Sequence, residues 1–417
     1  MIFKGFVTAI LLAAAFGAAF GQPAAAESLA FRAEERARIL AHGPWPQPQP
    51  RDASNRVDGR PQAVELGRRL FFDVRLSANG RVACASCHQP AKGFQDDRAT
   101  AFGLERGARN TPGLVDVAGQ RWYGWDGAAD SLWMASVRAI VMPHEMGMTP
   151  QSVHRLVAGD AELARAYRRL FGAVPKAPRP AAAVLPASGR FADDVAAGEA
   201  LLAQAPRASL DVLVNLGKAL AAYQATLRSG PSPFDTFRAA LERGDVQAMA
   251  QYPASALRGL RIFVGRGQCY VCHSGPRFTN GEFGDVGIPY FLADGSVDSG
   301  RHGGIQRLLA SPLNLLGRYN DDPRRANAAA TRHLRPEPRN FGEFKVPSLR
   351  NLDLTGPYMH DGSLENLRYV AQHYAVMNPD RIHTDGPRSL LQPLDLSDAE
   401  RYDLAQFLRS LSATAAR

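Results

Sequence analysis

Two short runs of this 417-residue chain carry the types and spacing of residues that could do chemistry. They are Cys84-Ala85-Ser86-Cys87-His88 and Cys269-Tyr270-Val271-Cys272-His273, and together they use all four cysteines. Two thiols separated by two residues and followed at once by an imidazole form a pattern that binds haem covalently. Each thiol adds to a vinyl group, and the adjacent histidine ligates iron from one face. Four cysteines could also build a zinc ribbon or two thioredoxin-like redox pairs, but neither needs a histidine after each pair. The spacing therefore implies two covalently bound c-type haems. Cys84, Cys87 and His88 would hold the first, and Cys269, Cys272 and His273 the second. A haem with two strong axial ligands transfers electrons, whereas one with an open face can do chemistry. Function thus turns on what stands opposite His88 and His273.

The elements that position these motifs repeat. Gly67-Arg68-Arg69-Leu70-Phe71 precedes the first and Gly259-Leu260-Arg261-Ile262-Phe263 the second, each reading as a short amphipathic helix that feeds the haem-binding turn. A diverged internal duplication fits this pattern. Leu213, Leu216, Leu220 and Tyr223 place a helix over 210–227. Later, Ser363 caps a helix with Glu365 in its first turn, and Asn378-Pro379 stops it. Its stripe of Leu364, Leu367, Ala371 and Tyr374 turns Tyr374 towards the core, with Met377 one turn on. His373 points about 100° away from Tyr374. Ser397 and Glu400 form a capping box for a terminal helix carrying Leu404, Phe407, Leu408 and Leu411. Residues 173–190, rich in Ala and Pro, read as a surface loop. Residues 274–345, rich in Gly, Pro and Asn with little periodicity, read as an ordered functional loop region. No run alternates at period two for long, so the class is all-α: two tandem cytochrome c-like haem domains with long loops.

Composition sets the outer bounds. With 45% hydrophobic and 21% charged residues, the chain is neither disordered, nor a multi-span membrane protein, nor a disulfide-stapled miniprotein. Lys4, an apolar stretch and Ala24-Ala25-Ala26 mark residues 1–26 as a cleaved export signal, which implies the periplasm. The remaining boundaries are 27–246 for an N-terminal haem domain with its linker and bridging helices, and 247–417 for a C-terminal haem domain. The formal charge of +9 does not by itself argue for nucleic acid, and no nucleic-acid motif accompanies it. Haem propionates would offset much of that excess.

Beyond the haem motifs, Leu70-Phe71-Phe72-Asp73, Leu76-Ser77, Arg109-Asn110-Thr111-Pro112, Trp125-Asp126-Gly127 and Pro143-His144-Glu145-Met146 resemble the bacterial di-haem cytochrome c peroxidases and their MauG relatives. Val346-Pro347-Ser348-Leu349-Arg350-Asn351 and Leu354-Thr355-Gly356-Pro357-Tyr358-Met359-His360-Asp361-Gly362 extend the resemblance through the distal half. It implies that the first haem is peroxidatic, with Glu145 moving a proton from the inner peroxide oxygen to the outer one. It also implies that Trp125 relays electrons between the haems. Read alone, Glu145 is an ordinary solvated carboxylate and Trp125 a packing residue. A calcium ion between the domains is implied at Asn110, Thr355 and Pro357, through oxygen donors that include backbone carbonyls.

Three differences select a branch. Family members that need reductive activation carry a distal histidine where this chain has Phe102, so the first haem is expected to be five-coordinate. The usual methionine ligand of the second haem is replaced by Tyr374, a hard anionic ligand as tyrosinate, with Met377 as the alternative. Ala135 and Ala139 replace the distal glutamine and proline, which makes the pocket less polar. Residues 121–133 and 378–386 are similar to the MbnH subgroup, whose members oxidise a tryptophan on a copper-binding partner protein. The resemblance thus implies a periplasmic oxidoreductase that uses hydrogen peroxide to reach a high-valent di-haem state and oxidise a partner protein. One alternative is a conventional peroxidase fed by a small cytochrome c or cupredoxin, which Met377 as ligand would favour. Another is a non-enzymatic electron-transfer cytochrome, which requires both irons to be six-coordinate.

Overall fold

The computed structural model describes residues 29–177, 186–382 and 391–413. The export signal, much of the Ala- and Pro-rich loop and residues 383–386 lie outside the described residues. In chain order, the helices of eight residues or more are α1 (Ala33–Leu40), α2 (Pro61–Phe71), α3 (Leu132–Val141), α4 (Pro150–Gly159), α5 (Ala161–Phe171), α6 (Phe191–Gln204), α7 (Arg207–Gln224), α8 (Pro233–Arg243), α9 (Ala254–Val264), α10 (Arg301–Ala310), α11 (Leu367–Val376) and α12 (Asp398–Arg409). The strands, β1 (Phe283–Gly284) and β2 (Phe344–Lys345), form one antiparallel pair that joins Phe283 to Lys345 and Gly284 to Phe344. The fold is all-α, as the sequence pattern implied. No helix among the described residues is long and apolar enough to cross a membrane.

Two helix crossings organise the chain, α2 on α7 and α9 on α12. Each depends on a glycine. A Cβ at Gly67 would stand 2.0 Å from the Ala219 carbonyl oxygen and 2.9 Å from Tyr223 Cβ. One at Gly259 would stand 2.1 Å from the Asp403 carbonyl oxygen and 2.8 Å from Phe407 Cβ. These are the glycines that open the two matching preludes, so the repeat in sequence is a repeat of one crossing. Pro61 starts α2 at a position where no amide hydrogen bond is lost. Ser397 and Glu400 cap α12 reciprocally, as expected from the sequence.

Each crossing seeds its own core. Leu66, Leu70, Phe71, Trp133, Val137 and Leu220 belong to the first, and Leu260, Phe263, Phe278, Leu367, Leu404 and Phe407 to the second. The chain interleaves between them. Ile39 of α1 is buried in the second core, whereas Leu308, Leu313 and Leu315 are buried in the first.

Two local expectations need correction. Helix α11 begins at Leu367, with Asn366 as its cap accepting from the amides of Arg368 and Tyr369, not at Ser363. Residues 361–364 instead close a turn: Ser363 N–H donates to the Asp361 carboxylate at 3.0 Å, and Tyr358 N–H donates to the Leu364 carbonyl at 2.7 Å. The 274–345 region holds a helix, α10, that periodicity did not reveal. Its Gly304 lets the backbone approach Asp126, where a Cβ would meet the carbonyl oxygen at 2.1 Å. Glycines required for close approach dilute an apolar stripe.

Gly67→Ala or Gly259→Ala is expected to cost about 1–3 kcal/mol by overpacking. Gly159→Ala, with open space around it, should be neutral or slightly stabilising. Thermal melting followed by circular dichroism checks both.

Candidate functional site

The chain makes the same turn at both motifs. His88 N–H donates to the Cys84 carbonyl and His273 N–H to the Cys269 carbonyl, each at 2.9 Å. Each imidazole then donates from Nδ1 to a phenylalanine carbonyl, His88 to Phe94 and His273 to Phe278, both at 3.0 Å. A carbonyl oxygen can only accept, so Nδ1 carries the proton and Nε2 keeps its lone pair. Phe94 (φ 58°) and Phe278 (φ 53°) both adopt the left-handed backbone conformation, which is strained for a bulky side chain. Burial lowers the basicity of both rings, His273 to about 4. The neutral ring is the form that ligates a metal.

Cys84, Cys87 and His88 line a cavity of about 290 Å³ whose walls also carry Trp125, Ala135, Ala139, His144 and Glu145. Residues spread over more than sixty positions of sequence are thereby brought to one space. Two thiols, an Nε2 lone pair and mostly apolar walls suit a covalently held porphyrin. A four-cysteine zinc centre fits poorly, because its ligands must converge, whereas Cys84 packs on the first core and Cys269 on the second.

The loop carrying Phe102 is laid against the turn that carries Glu145. Leu104 N–H donates to the Glu145 carbonyl at 2.9 Å and Glu105 N–H to the His144 carbonyl at 3.1 Å. A Cβ at Gly103 would stand 2.4 Å from the Glu145 carbonyl oxygen. Phe102 itself is 45% exposed, and its ring lies under the Arg98 guanidinium at 5.4 Å. Its neighbours Ala101 and Gly103 line the cavity, and it does not.

Trp125 is held on both sides. Its Nε1–H donates to the Asn110 carbonyl at 2.9 Å, and its own carbonyl accepts from Lys345 N–H at 2.8 Å. Lys345 lies two residues before Pro347, whose carbonyl interacts with the His273 ring. Trp125 therefore connects the wall of the first cavity with the chain beside the second motif. Next to it, Asp126 pairs with Arg109 at 2.7 Å and Arg307 at 2.6 Å, and Arg109 pairs with Asp298 at 2.7 Å. These cations hold the Asp126 carboxyl far below the usual carboxylate range. Breaking such a buried pair costs roughly 3–5 kcal/mol.

At the second motif, burial raises the Tyr374 phenol well above its ordinary value, and charge on the nearby Cys269 or Cys272 would oppose its ionisation further. His373 is turned elsewhere, donating from Nε2 to the Val286 carbonyl at 2.7 Å. Met377 follows α11 as its cap and is buried. Near the first motif, Asn110 donates its side-chain amide to the carbonyls of Arg98 and Ala99 at 3.0 and 3.3 Å. This leaves Oδ1 as an acceptor. Gly113 stands against Thr355, and Gln95 donates to the Gly356 carbonyl beside Pro357 at 2.8 Å. Loops bearing Asn110, Thr355 and Pro357 thus adjoin.

The sequence reading gave no role to His144, Asp194, Arg138 or Glu199, although His144 and Arg138 line the first cavity. No spacing rule links positions 144 and 194, or 138 and 199, so only the fold reveals those pairs.

Comparison with known proteins places the chain by family and fold. Residues 61–243 match the family model described as di-haem cytochrome c peroxidase. The chain is 32% identical over 382 residues to the methylamine utilization protein MauG of Methylorubrum extorquens, covering 91% of this chain and 86% of that protein. It is 30% identical to the cytochrome-c peroxidase IdrP1 of Denitromonas iodatirespirans, covering 89% and 86%. Among solved structures, a MauG-like protein associated with microbial copper homeostasis superposes with a TM-score of 0.58 at 23% identity, covering 89% of this chain and 95% of that one. The diheme peroxidase BthA of Burkholderia thailandensis superposes with a TM-score of 0.60 at 20% identity, covering 85% and 86%.

Haem-iron counting by pyridine haemochrome should give two haems per chain. The double variant Cys84→Ala/Cys87→Ala and the double variant Cys269→Ala/Cys272→Ala should each retain one.

Proposed function

The chain belongs to the di-haem cytochrome c peroxidase and MauG family of peroxidase-type oxidoreductases, and from that premise we propose that it uses hydrogen peroxide to oxidise a partner protein. The family implies two c-type haems, which when bound supply the redox chemistry. His88 and His273 would present Nε2 to the irons, with the four cysteine sulfurs as thioethers. Glu145, in the first cavity, would accept a proton from the inner oxygen of hydrogen peroxide and return it to the outer one, easing O–O cleavage. Trp125 would connect the two sites electronically. Tyr374 would close the second site as an anionic ligand that favours higher oxidation states.

The observation that carries this reading is the proximity of the Tyr374 phenol to Cys269 and Cys272. A hard anionic ligand there suits retention of oxidising equivalents more than the uptake of electrons from a small redox protein. The similarity of residues 121–133 and 378–386 to the MbnH subgroup gives the chemistry by which to seek the partner, an oxidisable tryptophan. Export to the periplasm by residues 1–26, and a calcium ion at Asn110, Thr355 and Pro357, are proposed with it. The second reading is a conventional peroxidase supplied by a small cytochrome c or cupredoxin. It draws on 28% identity to the cytochrome c551 peroxidase of Pseudomonas aeruginosa and on Met377, the alternative ligand.

Tyr374→Phe is expected to raise the reduction potential of the second haem and alter its low-spin signal. Met377→Leu should leave both unchanged. Glu145→Gln should slow the reaction with peroxide by about 10²–10⁴-fold. Partner oxidation is read as a peroxide-dependent mass change in a co-purified protein. Rapid, sustained turnover with a reduced cytochrome and no such mass change would favour the second reading.

A further inference from the structure

We propose that His144, backed by Asp194, is the relay that orients Glu145 and supplies it with protons. This rests on the peroxidatic reading of the first cavity. His144 is buried, with Nε2 3.7 Å from Glu145 Oε1 and Nδ1 3.8 Å from Asp194 Oδ2. Its Nδ1 is fully buried and makes no hydrogen bond among the described residues. The contrast within the same core is His154, whose Nδ1 meets the Ser209 hydroxyl at 3.2 Å and whose Nε2 meets the Pro175 carbonyl at 2.9 Å. His154 is a satisfied structural histidine. His144 is an imidazole suspended between two carboxylates.

The line continues outward. Asp194 is 3% exposed, and its Oδ1 accepts from the backbone N–H of Ser188 at 2.7 Å, a residue that is itself exposed. Asp194, His144 and Glu145 therefore run from a surface loop to the cavity wall. The ring is fixed by Phe191, 5.4 Å away between centroids, and its backbone by the Glu105 amide. Other charged groups around the cavity are engaged or exposed. Arg109 pairs with Asp126 and Asp298, Arg138 pairs with Glu199, and Glu105 is exposed.

Chemistry requires such a line. Reducing one hydrogen peroxide to two waters consumes two electrons and two protons. The electrons come from the oxidised partner, and the protons must enter the first cavity. His144 gives its Nε2 proton to the Glu145 carboxylate and takes one at Nδ1 from the Asp194 carboxyl, which regains its proton from solvent at the surface loop. Each pass leaves the ring proton on Nδ1, so the imidazole returns it to Nε2 before the second proton follows, and no net charge builds on the ring.

The test uses the holoenzyme. His144→Phe keeps an aromatic ring beside Phe191 and removes both nitrogens. Asp194→Asn removes the backing charge, and Asp194→Glu retains it. The first readout is the stopped-flow rate of the peroxide reaction in H₂O and D₂O. The second, independent of turnover, is the C–O stretching band of carbon monoxide on the ferrous protein, which senses hydrogen-bond donation from Glu145. His144→Phe and Asp194→Asn should each slow the reaction by about 10²-fold, alter the solvent isotope effect and shift the band. Asp194→Glu should restore most of the rate. Wild-type rate, isotope effect and band in both His144→Phe and Asp194→Asn would overturn the relay. Glu145→Gln separates the two readings. If it is slow while the His144 and Asp194 variants are not, only the relay fails. If it reacts at the wild-type rate, the peroxidatic role of Glu145 fails and the relay with it.

Discussion

One hydrogen bond, made twice, sets what the rest of the molecule can do. At each motif a phenylalanine held in the left-handed backbone conformation presents its carbonyl to Nδ1 of the motif histidine. That contact fixes the tautomer and the plane of the ring, and it leaves Nε2 as the free donor. A ligand imidazole oriented by a second-layer carbonyl is more basic towards metal and cannot swing away. The glycine crossings serve this contact. Without Gly67 and Gly259 the helices could not approach closely enough to set the two turns where they lie.

From that common base the two halves diverge. In the first, the cavity holds one further histidine among the described residues, His144, and it faces Asp194 and Glu145. Phe102 is exposed, and its loop is bonded to the Glu145 turn. In the second, the half-buried Tyr374 phenol lies within electrostatic reach of the cysteine pair. On the proposed reading, an open face on the first side and an anionic ligand on the second would divide the labour of a two-haem oxidant. Trp125 stands between them, with the Asp126–Arg109–Asp298 pairs fixing the backbone beside it.

Much of this was legible in the sequence, for physical reasons. Cysteine and histidine spacing is set by the covalent reach of the porphyrin, so the two motifs and their shared turn could be read directly. The stripe that turned Tyr374 inward and His373 aside follows from helix geometry alone, and His373 does bond to Val286 instead. The glycine preludes could be seen, although their role as crossing points could not, because it depends on the partner helices α7 and α12. The start of α11 was misread at Ser363, since an Asp361 side chain and the Tyr358–Leu364 pairing compete for the same residues. Helix α10 and the Asp194–His144 pairing were illegible: the first is thinned by close-approach glycines, and the second joins distant positions by tertiary packing.

The central claim is the asymmetry of the two iron sites, and low-temperature electron paramagnetic resonance of the ferric holoprotein as isolated tests it most directly. One high-spin and one low-spin haem in equal amounts is the expected result. Two low-spin signals would contradict it, because they would mean that a side chain of the first cavity closes the face on which peroxide must react.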